Sequence, residues 1–180
     1  MPDMLDLLYP LSRFYDEQGI KCPVVERVEN EAIPEPFREL LVHQNDMTPT
    51  LEAFHGATLE LQVLRRTLER NELAREVVLR CEADGRATEF GAIIIQLDNY
   101  PEGARQDIID GHLPLGTILA KHSVEHESCP QAFIRVWADT IIISAFGIPD
   151  VAQWLYGRRN RLITLDGNIL ADILEILPPG

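Results

Sequence analysis

Residues 156–180 read YGRRNRLITLDGNILADILEILPPG, and the fold turns on this stretch. Apolar and polar residues alternate on both sides of Asp166-Gly167, a turn dipeptide, so the segment reads as two strands of a hairpin. The first strand carries Arg158, Arg159 and Arg161, the last two sharing a face with Ile163 and Leu165. The second places Glu175 on a face with Ile169, Ala171, Ile173 and Leu177. Depending on whether the loop has two or three residues, the cross-strand neighbour of Glu175 is Arg158 or Arg159. Charge is thus aimed at a face that otherwise reads as core.

The same period-two rule, applied upstream, finds the same habit. In TLELQVLRR (58–66) Arg65 shares a face with Leu59, Leu61 and Val63. In LAREVVLRC (73–81) Arg75 shares a face with Val77, Leu79 and Cys81. Each Arg alone reads as a rim residue extending to water or as an ordinary ion pair. As a group they need anions, because an unpaired buried charge costs several kcal/mol even after relaxation. Carboxylates elsewhere in the protein supply them, or a ligand with more than one carboxylate does. Glu175 is the one carboxylate clearly sent inward with them, placed to handle a proton or hold a hydroxyl.

Around these strands the first half of the chain reads helical, with a weak N-terminal helix interrupted near Pro10 and a second in PEPFRELLVHQ (34–44). In DMTPTLEAFHG (46–56), Thr48 is placed to cap, Pro49 to take the first helical position and Gly56 to end the helix. Strands are expected over 57–66, 73–82 and 87–97, the last two joined by a tight Ala-Asp-Gly turn. Two short helices flank the Leu-Pro-Leu-Gly break within 101–122, a strand follows near 132–138, and 139–147 is apolar and ambiguous. Hairpin-linked strands with helices early and mid-chain predict an α+β protein, a single antiparallel sheet covered by helices.

The length of 180 residues suits one domain, 1–180, with its own core. Composition is that of an ordinary soluble protein, 46% apolar and 25% charged. No apolar run is long enough to span a bilayer, and the N-terminus lacks the basic start of a secretory signal. Three scattered cysteines, Cys22, Cys81 and Cys129, suit a reducing, cytoplasmic compartment. The net charge of −13 repels phosphate backbones, so nucleic acid and membrane are not expected partners, and oligomeric state is left open. Fourteen of the 16 basic residues are Arg, the side chain suited to bidentate carboxylate recognition.

Other constellations carry less. HSVEHESC (122–129) spaces His122, His126 and Cys129 as a metal site on a helix would, but no second cluster completes four ligands, so no metal is expected. His55 reads as a helix-end residue, His112 as a loop residue, and Trp137 and Trp154 as packing residues. There is no nucleophile elbow, phosphate loop or paired-cysteine motif, and no cofactor is expected.

Taken together, RRNRLITLDG (158–167) with EILPP (175–179) resembles the C-terminal hairpin of the chorismate pyruvate-lyases and their chorismate-lyase-like relatives. LPLGTIL (113–119) is similar to that family's Pro-Leu-Gly segment, AREVVL (74–79) to its Arg-containing strand, FGAIII (90–95) to the next strand, and DMTPTLEAF (46–54) to its Met-Thr helix start. The matches run in order over roughly 40 to 179, and residues 1–35 are not covered. The resemblance implies an antiparallel sheet with helical flaps closing over a buried ligand pocket. It implies cleavage of chorismate to 4-hydroxybenzoate and pyruvate without metal or cofactor. It assigns Glu175 to contact the 4-oxygen of the ring and Met47, Gly91 and Leu115 to line the pocket. A dianionic ring needs apolar walls set with Arg, which fits the inward arginines.

One departure matters. The family's lyases place an Arg after the Gly of the third strand to hold the ring carboxylate, and here Ala92 follows Gly91. Either Arg65, Arg75 or the Arg158, Arg159 and Arg161 cluster takes that role, or the ligand differs. Three functions follow: a chorismate-lyase-like carbon–oxygen lyase, the leading expectation; a non-catalytic binder of an aromatic or anionic effector; or a lyase or isomerase of another anionic ring compound. Related folds act as effector domains beside DNA-binding modules, and 180 residues leave little room for such a module.

Overall fold

The computed structural model describes residues 5–180, so the start of the expected N-terminal helix, residues 1–4, lies outside the described residues. Among the described residues there are six α-helices and seven strands: α1 Leu11–Glu17, β1 Val25–Arg27, α2 Phe37–Leu41, α3 Met47–His55, β2 Leu59–Glu69, β3 Glu72–Cys81 and β4 Ala87–Gln96. The chain continues with α4 Glu102–Asp110, α5 Leu115–Lys121, β5 Glu127–Trp137, α6 Thr140–Phe146, β6 Trp154–Ile163 and β7 Ile169–Ile176. All strands join one antiparallel sheet in the order β1-β5-β6-β7-β4-β3-β2. The terminal hairpin is therefore internal to the fold, its two strands at the centre of the sheet.

Helices cover both faces of the sheet rather than one. Leu11 and Phe14 of α1 and Ile142 and Phe146 of α6 pack over Phe90, Ile94 and Leu174. Tyr15 joins these two helices by donating to Asp139 Oδ2 at 2.8 Å, while Asp139 Oδ1 caps α6 by accepting from the Ile142 amide at 2.9 Å. On the opposite face α4 and α5 pack over Leu73, Ile93 and Ile95, and α2 and α3 over Leu59, Leu79 and Leu177. Two covered faces explain why FGAIII is apolar without alternation: every residue of β4 from Ala87 to Ile95 is buried.

Gly91 and Gly157 lie on the two strands that flank β7. A Cβ at Gly91 would fall 1.8 Å from the Leu174 carbonyl oxygen, and one at Gly157 would fall 2.5 Å from that of Glu175. Only glycine lets β4 and β6 approach the β7 backbone this closely, which holds the sheet together around Glu175.

Several expectations need correction. Asp46, not Thr48, occupies the N-cap of α3, and the helix starts at Met47; it ends at Gly56 as expected. The helix in 34–44 shortens to five residues because the chain after Leu41 turns to present its carbonyls to Arg158. The strand near 132–138 begins earlier, at Glu127, and passes Pro130 at an irregularity in its pairing with β6. The ambiguous apolar segment is helix α6, and a three-residue edge strand, β1, was not anticipated. Among the described residues no helix is long and apolar enough to cross a membrane.

Candidate functional site

Between the sheet and the N-terminal ends of α3 and α5 lies a cavity with about 560 Å³ of empty space, its open mouth included. Val77, Ile93, Leu119 and Ile173 supply apolar walls, and Met47 and Leu115 close it from the two helices. Arg75, Glu89, Asn160 and Glu175 reach it from four different strands, β3, β4, β6 and β7. The α5 end follows from the Leu-Pro-Leu-Gly break: Pro114 precedes the first helical residue, Leu115.

Glu175 is opposite Arg158, not Arg159. Both oxygens of Glu175 are engaged, with Arg158 Nε donating at 2.6 Å and Nη2 at 3.4 Å. Arg158 is wholly buried, and it also donates to the carbonyl oxygens of Leu41, His43 and Asn45 at 3.4, 3.0 and 3.3 Å, with Nη1 3.4 Å from His43 Nδ1. Burial, and then the neighbouring Arg158 charge, lower the pKa of His43 beside this pair, which keeps it neutral. The pair is thus a buried strut between the centre of the sheet and the segment leading into α3.

Arg75 differs. It is 2% exposed, yet its Nε and Nη1 have no hydrogen-bond partner among the described residues. Burial lowers its pKa to about 10, with a smaller push the same way from Arg66 and an opposing one from Tyr100; it remains a cation at neutral pH. A buried cation without a partner at a cavity wall is a group waiting for an anion.

Three of the expected arginines are elsewhere. A bulge between Val63 and Arg65 in β2 shifts the alternation, so Arg65 pairs with Glu76 on the face opposite to Arg75, and Arg66 stands across from Arg75 instead. Arg159 points to the other face, donating to the Asp6 carbonyl at 3.0 Å with its guanidinium over the Tyr9 ring. Arg161 on that same face makes a two-pronged pair with Asp172 at 2.9 and 3.3 Å. Gly91 serves strand approach rather than lining. Ala92 borders the cavity while packing with Phe90 and Ile94 in the far-face core, so β4 sends no cation into the cavity there.

Glu89 was missed. It lies four residues before Ile93 and shares its face, so Glu175 is not the one carboxylate aimed at the apolar cavity face. The signal was present in TEFGAIII as a Glu in phase with Gly91, Ile93 and Ile95. Its Oε2 is buried with no partner among the described residues. Burial, reinforced by the negative charge of Glu175 and only partly opposed by Arg158, holds its carboxyl well above the usual range.

At the mouth, His126 Nε2 meets Asp46 Oδ2 at 2.8 Å, and the pKa of His126 is raised chiefly by that bond. His122 goes instead to Asp107 at 2.7 Å, so the two histidines serve different carboxylates. Among the described residues no group of three metal-ligating side chains is gathered.

The single antiparallel sheet, the helical flaps and the enclosed cavity define a chorismate-lyase-like α+β fold of the kind found in regulator effector domains. No protein-family model matches the sequence, and no curated protein matches it significantly. Solved structures do resemble it. PhnF from Mycobacterium smegmatis superposes with a TM-score of 0.58 at 11% identity, over 95% of this chain and 93% of that one. The effector domain of PhnF gives 0.54 at 11% identity, over 73% and 87%. YydK from Bacillus subtilis, described as a possible transcriptional regulator, gives 0.54 at 8% identity, over 96% and 92%. At such identities the likeness establishes the fold.

Proposed function

We propose that this protein binds a small anionic ring compound in the cavity beneath α3 and α5 and acts as a sensor of that compound rather than as a chorismate lyase. The observation that carries this reading is Arg75, a buried guanidinium at the cavity wall whose Nε and Nη1 lack partners. Met47, Leu115 and Glu175, assigned to the pocket through the family resemblance, line the same cavity. Glu175, however, has both oxygens tied to Arg158 and is poorly placed to exchange a proton with a substrate. The solved relatives support binding over turnover, since one is an effector domain and another a possible transcriptional regulator. The charge of −13 argues against nucleic acid on this chain's own surface and does not bear on a separate DNA-binding segment or subunit coupled to it.

The test is to mix the protein with chorismate and follow pyruvate release, and in parallel to measure binding of 4-hydroxybenzoate by calorimetry. Expected are no catalysed pyruvate release, measurable 4-hydroxybenzoate binding, and a loss of about tenfold or more in Arg75→Met, the scale of a charge-assisted hydrogen bond. Catalytic production of pyruvate and 4-hydroxybenzoate would restore the lyase reading.

A further inference from the structure

Arg75 and Glu89 are both buried, both line the cavity and both carry atoms without partners among the described residues, yet they do not pair with each other. The strand register explains why. Arg75 lies opposite Ile93 and Glu89 opposite Leu79, so they stand four positions apart along the strands, roughly 14 Å between Cα levels at about 3.4 Å per residue. Glu175, opposite Gly91, falls between them and is already occupied by Arg158. Val77 lies in the space between the two ends, with Ile93 and Ile173 at the level of Arg75 and Leu79 at the level of Glu89, all of them bordering the cavity. That space suits a ring-sized apolar spacer with a polar group at each end.

We propose that Arg75 and Glu89 are the two ends of one ligand site, which takes a monoanionic ring acid: its carboxylate meets Arg75, and an oxygen at its far end accepts a hydrogen bond from the Glu89 carboxyl. This rests on the ligand-binding function proposed above and names the class of ligand. The charges facing the cavity fix the monoanion. From β6 and β7, Arg158 and Glu175 cancel one another. From the N-cap of α3, Asp46 is answered by His126. His43, beside Arg158, is neutral. Burial, and then the negative charge of Glu175, push the Glu89 carboxyl well above the usual range, which favours its protonated form, a donor rather than a second anion. What remains buried is the single positive charge of Arg75, since Arg66 across the strand from it is exposed and screened by water. A dianion would leave one negative charge uncompensated in a buried site, and the cost of that is severe. A ligand lacking the far oxygen would leave the Glu89 hydroxyl without an acceptor, the situation in which hydrogen-bonding sites discriminate most strongly.

The experiment is calorimetry at pH 7 with three probes, 4-hydroxybenzoate, benzoate and the dianion 4-hydroxyphthalate, against wild type, Glu89→Gln, Glu89→Leu and Arg75→Met. The wild type is expected to bind 4-hydroxybenzoate about tenfold or more tightly than either other probe. Glu89→Gln, which keeps a donor of the same shape, is expected to retain the preference over benzoate. In Glu89→Leu the ratio is expected to fall to near one, and Arg75→Met should weaken all three probes. If wild type binds and Arg75→Met does not, but Glu89→Leu keeps the wild-type preference, Glu89 is not a site residue and this inference fails alone. Tighter binding of the dianion overturns the charge assignment. Should Glu89→Leu not fold, loss of the preference in Glu89→Gln overturns the donor role. Wild-type protein binding none of the probes would overturn the proposed function together with the inference.

Discussion

Glu175 and Arg75 are both buried ionised side chains on the same face of the sheet, but their surroundings predict opposite responses to neutralisation. Glu175→Gln leaves Arg158, wholly buried, without its countercharge. Breaking such a pair from one side costs about 3–5 kcal/mol, partly relieved here by the three carbonyls that Arg158 also reaches. The expected loss is about 3 kcal/mol, or a fall in Tm of roughly 6–12 °C for a chain of this size. Arg75→Met instead removes a buried charge that nothing in the described residues compensates, and it should leave Tm unchanged or raise it while weakening anion binding about tenfold or more. Thermal melting of the two variants side by side checks both. An equal loss in each would mean that Arg75 is a structural ion partner after all.

At the scale of elements, the sheet depends on how close β4 comes to β7. Gly91→Ala would drive a methyl group into the Leu174 carbonyl, where backbone rather than a flexible side chain must yield. The expected cost is about 3 kcal/mol, at the upper end for overpacking. Urea denaturation measures it, and a wild-type midpoint would show that β4 can shift away without loss. The flap α3 hangs on a second contact, His126 to its N-cap residue Asp46. The folded pKa of His126 is raised, so this bond contributes stability that is full below about pH 6.5, the unfolded value, and is lost as pH rises through the folded one. Hydrogen exchange in residues 46–56 should therefore be slower at low pH, after correction for intrinsic rates. In Asp46→Asn that difference should vanish. A pH difference that survives in Asp46→Asn would place the latch elsewhere.

For the molecule as a whole, an overall charge of −13 surrounds a cavity whose own balance is positive. The surface field opposes an approaching anion and is screened by salt, while the buried attraction at Arg75 is screened far less. Association of 4-hydroxybenzoate, followed by stopped flow, should thus accelerate as ionic strength rises from about 0.01 M to about 0.15 M, where the Debye length falls from roughly 30 Å to roughly 8 Å. Slower association with added salt would mean that a local positive path outweighs the global charge.

What the sequence by itself determined is periodic and local. Alternation in 58–66, 73–82 and 156–177, together with the Asp166-Gly167 turn, was enough for an antiparallel α+β fold with an internal terminal hairpin and inward charge from Arg75 and Glu175. Tertiary structure alone decided which arginines enter the cavity. The bulge in β2 turned Arg65 away, since one extra residue reverses every side chain beyond it. The hairpin register chose Arg158 over Arg159 as the partner of Glu175, because the loop length that sets it is a matter of turn geometry. On the face covered by α1 and α6, a backbone carbonyl meets the buried Arg159 and Asp172 meets the partly exposed Arg161. Glu89 was visible as a residue in phase with Ile93, but its lack of a partner is a property of three dimensions: only the assembled sheet shows that its Oε2 meets no hydrogen-bond donor among the described residues.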